Sequence, residues 1–264
     1  MVTRRTLFKQ VGATAIGAAV AGGAAARTTA RSDLEPPSAR SLRELTMALA
    51  RAPRRRNFKT VPMILTHRDQ WDSAALDLVL RYRGYPRQVW DNTALASPWL
   101  NLMRNAMNTQ IWSFGHPNFL CVSATHGSAH LALYDAYIWD KYHLGRLTKG
   151  KASSNIFVNE PAAAHANPRD YEDTKGVYSP HDNSIPVLQQ RGAVFLGCHN
   201  EVWELTMKLH KKGVNPDHLS HERMAAEFTD HLIPGVILTT GIVGTLPELE
   251  LAGFQYAKQA GFHR

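Results

Sequence analysis

The chain has 264 residues, 44% of them hydrophobic and 20% charged, with a formal net charge of +8 and only two cysteines. Two cysteines exclude a disulfide framework for a chain of this size. Beyond the N-terminal segment no stretch approaches the ~18 uninterrupted apolar residues of a membrane span, so no stable membrane insertion is expected.

The chain opens MVTRRTLFKQVGATAIGAAVAGGAAAR. A charged start, an apolar Ala/Gly-rich middle and small residues at Ala24–Ala26 are the layout of a signal peptide. The paired Arg4 and Arg5 resemble the twin-arginine export signal, which implies a protein exported already folded, to the periplasm or outside. The apolar run is too short and too rich in Gly and Ala for a good anchor. Cleavage after Ala26 removes Arg4, Arg5 and Lys9 and lowers the net charge by three, to +5. Residues 27–59 read as a linker carrying a short helix, in which Ser41 and Glu44 have the spacing of a capping box. Arg51, Arg54, Arg55 and Arg56 adjoin Ala/Pro-rich sequence with no interleaved aromatics. They read as a solvated tether and not as a nucleic-acid surface. Residues 60–264 are long enough for one domain with a sizeable core.

From Trp71 the pattern Trp71, Ala74, Ala75, Leu78 and Tyr82 predicts a helix stopped by Gly84. RQVWDN is a short strand ending in Asp91 and Asn92. Ser97-Pro98 starts a helix that Gly115 ends. NFLCVSATHG is an apolar run of strand length, the mark of a strand buried on both faces, and SAHLALYDAYIWDKYHLG a helix after it. A polar stretch covers 146–183. Then come a short helix from Ser184, the strand AVFLGC, the helix NEVWELTMKLHKKG, a helix around HLSHERMAAEFTDHL, the strand PGVILTTG and a last helix over TLPELELAGFQYAKQ. Short strands alternating with helices predict an α/β three-layer sandwich around a mostly parallel sheet of about four to five strands, with right-handed crossovers.

The apolar strand ending in Cys198, the later Pro234-Gly235-Val236 strand, and Glu250, Gly253, Phe254 and Tyr256 after it resemble the DsrE/DsrF-like family. LMRNAMNTQ and CVSATHGSAHLAL resemble that family's Asn-bearing first helix and its strand ending in His-Gly. The resemblance runs from about Arg87 to the C-terminus, interrupted by 146–183. It implies a flavodoxin-like sheet, oligomers and, in sulfur-relay members, a persulfide-carrying cysteine that exchanges sulfur with a donor or acceptor protein or a small sulfur compound. Those members are cytoplasmic and lack the long insertion.

In open α/β sheets ligands bind beyond the carboxyl ends of the strands. Those ends supply Asp91 and Asn92, His126 and Gly127, Cys198 with His199 and Asn200, and Thr240. Cys198 stands where helix N-terminal amides favour a thiolate, and His199 beside it would tune the thiol when protonated. Cys121, mid-strand, reads as packing, and a Cys121–Cys198 disulfide is not expected. His126 and His130, four residues apart, are spaced to chelate a metal, but no third ligand is fixed locally, so no cofactor is assigned. His218 and His221 sit on a charged helix and read as solvated. The insertion is long for a structureless loop. Asn155–Val158 is read as an added edge strand, and Tyr171, Tyr178 and His181 as residues over a cleft. No dinucleotide, P-loop, nucleophile-elbow or Cys-x-x-Cys motif is present. Two functions stand open: thiol-based sulfur or redox handling through Cys198, or non-enzymatic binding of a small ligand, metal or partner in the strand-end crevice.

Overall fold

The computed structural model describes residues 34–258 apart from 149, 151, 163–166 and 168; the expected twin-arginine leader, residues 1–26, lies outside the described residues. Five strands form one sheet: β1 (Arg87–Asn92), β2 (Leu120–Thr125), β3 (Val194–Cys198), β4 (Ile237–Thr239) and β5 (Gln255–Lys258). Their order is β4-β3-β2-β1-β5 and every pairing is parallel. The α-helices of the described residues are α1 (Arg40–Arg51), α2 (Ser73–Leu80), α3 (Trp99–Asn108), α4 (Ala136–Lys141), α5 (Ile185–Gln190), α6 (His199–Lys211), α7 (His221–Asp230) and α8 (Ile242–Leu251).

Strand alternation sorts the apolar side chains into two cores. Val89, Val122 and Leu196 pack against Leu42 of α1, Val79 of α2 and Leu249 of α8. Cys121, Phe195 and Leu238 point the other way, into a core with Met103 of α3, Leu188 of α5, Val202 of α6 and Phe228 of α7. Every residue of β2 and β3 is buried, as the unbroken apolar runs predict for strands covered on both faces. The chain steps from β1 to β4 in one direction, with α3 to α7 on one face. It then returns past the whole sheet through α8 to place β5 beside β1. Reversing direction with right-handed crossovers forces the return helix onto the opposite face. The topological switch point therefore lies between β1 and β5. A flavodoxin-like sheet has the order 2-1-3-4-5; here the last strand takes the edge position that the second strand holds there.

Several local expectations are corrected. The helix at residue 40 is not capped by Ser41. The amides of Ser41 and Leu42 donate instead to Asn118 Oδ1, at 2.9 and 3.3 Å, so the cap comes from a distant loop. Described residues 34–59 are no solvated linker. Leu42 and Leu45 are buried, Arg56 pairs with Asp72 (3.0 Å) and Arg54 Nε donates to Val236 O (3.2 Å). The helix after β2 is a 3-10 turn, Gly127–Leu133, followed by an extended Tyr134 and Asp135. Asp135 then starts α4 by accepting from Ile138 N.

Residues 155–158 form no edge strand. Ile156–Val158 is a 3-10 turn, and Asn155 Nδ2 donates to Ala132 O and Tyr134 O, at 2.9 and 2.7 Å. Tyr178 is buried against Arg191, and Tyr171 stacks on Trp112 at 5.2 Å. Trp112 precedes β2 and Arg191 precedes β3, so this part of the insertion covers the amino ends of the strands and not their carboxyl ends. The last helix stops at Leu251. Gly253, at φ 88°, turns the chain, and Phe254 N donates back to Leu249 O (3.0 Å) before β5 begins. No helix of the described residues is long and apolar enough to cross a membrane.

Candidate functional site

The carboxyl ends of β1, β2, β3 and β5 gather the polar residues. Asp91, one residue from the end of β1, is 5% exposed and is approached by three donors from two further strand ends. His126, just past β2, approaches Oδ1 at 2.7 Å; Tyr256 OH on β5 donates to Oδ2 at 2.7 Å; Lys258 Nζ lies 3.4 Å from Oδ2. Parallel register causes this convergence: Val89 is level with Tyr256, and Asp91 with Ala124 and Lys258. Burial alone would raise the Asp91 pKa. The hydrogen bonds from Tyr256 and His126 and the charges of His126 and Lys258 outweigh it and hold the carboxyl below its usual range. Tyr256 is pushed up to about 12 by burial and by the Asp91 carboxylate, so it stays a phenol and a donor. The side chains of Tyr256 and Lys258 reach solvent, while Asp91 stays beneath them. The set therefore lies at the switch point between β1 and β5, open on its outer side.

Asn92 points to the opposite face. It is fully buried, its Nδ2 donates to Ser123 Oγ (2.8 Å), and among the described residues its Oδ1 has no partner. Gly127 adopts φ 55° and packs so closely on Thr93 O that a Cβ would meet it at 2.7 Å. Its amide donates to Glu201 Oε2 (2.9 Å) from the first turn of α6. The β2 and β3 ends are thereby tied together.

Cys198 ends β3 and occupies the N-cap position of α6. Its Sγ accepts from Ile242 N at 3.4 Å, the first residue of α8, so two helix starts meet on one sulfur. Asn200 lies over Gly241, where a Cβ would come within 2.7 Å of its Nδ2, and Thr240 beside it is half-buried. Yet Cys198 is only 5% exposed and is packed in the apolar core with Ile242 and Leu196. Desolvation outweighs the amides of Ile242, Glu201 and Asn200, and the thiol pKa is raised, against the lowered value expected from its position. The reason is that a helix start stabilises a thiolate only to the extent that apolar packing does not desolvate it.

His199 does not serve the thiol. Its ring is fully buried, Nε2 donates to Pro62 O (2.8 Å), and burial lowers its pKa, so it is held neutral. The residue that does touch the Cys198 backbone is His130, whose Nε2 accepts from Cys198 N at 3.0 Å. His130 is fully buried and its pKa falls to about 3, with the proton on the unpartnered Nδ1. His126 and His130 thus engage separate partners. Among the described residues no three His, Cys, Asp or Glu side chains converge as metal ligands. Both cysteines are free, and burial pushes Cys121 up to about 12.

Tyr256, Lys258 and Glu201 complete the arrangement and were not foreseen. Tyr256 and Lys258 were placed on a helix. An alternating Gln-Tyr-Ala-Lys after a glycine is the signal that could have moved them to a strand. Fold and site together define a three-layer α/β protein with a polar cluster at the carboxyl edge of an all-parallel sheet. No family model, no curated protein and no solved structure matches the chain.

Proposed function

We propose that this is an exported protein that binds a small molecule at the carboxyl edge of its sheet, with Asp91, His126, Tyr256 and Lys258 as the binding set. The observation that carries this reading is the gathering of three donors from two further strand ends on one shielded carboxylate, at the switch point where open α/β sheets bind ligands. The ionised Asp91 orients Tyr256 and His126, and Lys258 offers a charged group to solvent. Native mass spectrometry of wild-type protein purified from its own host tests it. A non-covalent mass should accompany the folded protein and be lost in the double variant Asp91→Asn/Tyr256→Phe. Retention of that mass by the double variant, or its absence from the wild type, would sink this assignment.

A second reading, sulfur transfer through Cys198, is favoured by the amides of Ile242, Asn200 and Glu201 around Sγ and by the resemblance to DsrE/DsrF-like proteins. The Cys198 thiolate would attack the outer sulfur of a donor persulfide. A Cys198 persulfide forms, the donor's S–S bond breaks, and the donor leaves as a thiolate, with no net oxidation. A persulfide is a stronger acid than a thiol, so the same amides would hold it as an anion where they do not hold the thiol. Covalent protein about 32 Da heavier, absent from Cys198→Ser, supports this second reading. Unmodified Cys198 after incubation with a persulfide donor removes it.

A further inference from the structure

At the other end of the sheet, where β3 and β4 begin, lies a cavity of about 670 Å³. Its walls draw on the two segments that fall outside the DsrE/DsrF-like pattern, together with α4 and α5. Thr46, Leu49 and Ala50 come from α1, and Arg54 from the chain just after it. Val158 and Glu160 come from the insertion. Asp135 and Ala136 at the start of α4 and Pro186, Gln189 and Gln190 of α5 complete the wall, and Ala193 and Val194 of the β3 entry with Ile233, Pro234 and Gly235 before β4 form the floor. Two additions distant in sequence meet on one hollow of the size that small-molecule sites have.

The wall is mainly aliphatic, and its charges differ in how they are matched. Asp135 is bound to His231 Nδ1 at 2.7 Å. Glu160 is exposed, accepts from Gln190 Nε2 (2.9 Å) and is screened by water. Arg54 is half-buried. Its Nε and Nη1 donate to Val236 O and Ala52 O, at 3.2 and 3.1 Å, and among the described residues no carboxylate pairs with it. Asp72, whose charge reaches it, is already paired with Arg56. A guanidinium withdrawn from water and lacking its own acid is the strongest recognition element of the wall.

We propose that this cavity is a second binding site, for an apolar small molecule carrying one acidic group, with the apolar body against Leu49, Ala50 and Val194 and the acid on Arg54. The site is independent of the carboxyl-edge cluster, because none of its lining residues belongs to the set Asp91, His126, Tyr256 and Lys258.

Isothermal titration of the wild-type protein with octanoate, and separately with 1-octanol, tests the proposal. Octanoate should bind saturably at one site, and 1-octanol about tenfold or more weakly, the loss expected for one charge-assisted hydrogen bond. Arg54→Gln should weaken octanoate by the same factor. Ala50→Phe, at an exposed helix position where the larger ring is tolerated by the fold, should abolish binding of both. Asp91→Asn should leave octanoate binding unchanged, which separates this site from the carboxyl-edge cluster. No saturable octanoate binding, equal binding of octanoate and 1-octanol, or binding indifferent to both Arg54→Gln and Ala50→Phe would overturn it.

Discussion

Cys198 shows how two local effects of opposite sign are decided by packing. The amides at the starts of α6 and α8 favour negative charge on Sγ, but the thiol sits among Leu196, Ile237 and Ile242, and burial wins. The sign for pH follows. A raised folded pKa means the unfolded chain ionises first, so folding disfavours the thiolate and stability declines as pH rises from the unfolded value, about 8.5, toward the folded one. Alkylation by iodoacetamide should accordingly be slow at pH 7, slower than for a free cysteine peptide, and should accelerate only above that free-thiol range. Cys121, fully buried and pushed up to about 12, should remain unlabelled until denaturant is added. Rapid labelling of Cys198 in the native protein at pH 7 would show that Sγ is a standing thiolate after all. The position of Cys198 was legible from the run AVFLGC before a helix. Its environment was not, because the residue that seals it, Ile242, lies 44 positions away.

The elements were legible wherever one local signal ruled. RQVWDN appears as β1, and the core of NFLCVSATHG as β2 because an apolar run of that length has one stable use in a covered sheet. Legibility failed where a distant group completed the local structure. Asn118 caps α1 in place of Ser41, and Asn155 ties the start of residues 155–158 to the turn after β2 through Ala132 O and Tyr134 O. The largest miss was β5, read as the end of the last helix, TLPELELAGFQYAKQ, carried straight through Gly253. The glycine decides the outcome. At φ 88° it ends α8, and a Cβ there would meet Arg87 Nη2 at 2.7 Å. Gly253→Ala should therefore destabilise the fold by roughly 1–2 kcal/mol, the strain of an L-residue in a left-handed conformation. Urea denaturation measures it. Because Tyr256 follows directly, the variant should also expose Trp90 and Tyr256 to acrylamide quenching more than the wild type. A variant with unchanged midpoint and quenching would mean that the turn relaxes without strain and that β5 does not depend on it.

At the scale of the whole molecule, the sheet separates two chemistries: polar residues at the carboxyl edge, an aliphatic hollow at the amino edge. The class of fold was readable from the alternation of elements, but the hollow was not, since it exists only once residues 46–54 and 158–160 fold onto the same corner. The proposed export is tested on the whole chain as well. If Arg4 and Arg5 direct it, Arg4→Lys/Arg5→Lys should leave unprocessed precursor in the cytoplasm, seen by fractionation and immunoblotting. Efficient processing of the double variant would remove the twin-arginine assignment.

The return of the chain through α8 to set β5 against β1 has a consequence in time. Gln88 finds its partner only when Gln255 has been made, so during synthesis β1 emerges early and waits with one hydrogen-bonding edge uncovered. Pairing across so long a stretch closes the largest loop of the sheet and is slow to form. The Asp91 cluster shares that delay, because Tyr256 and Lys258 arrive with β5. A ribosome-stalled or truncated product would carry the other four strands, yet present an open strand edge, the feature that invites aggregation and chaperone capture. The order of the strands thus makes the final strand a check on completeness: only a chain translated through residue 258 can both close its sheet and assemble the Asp91 cluster.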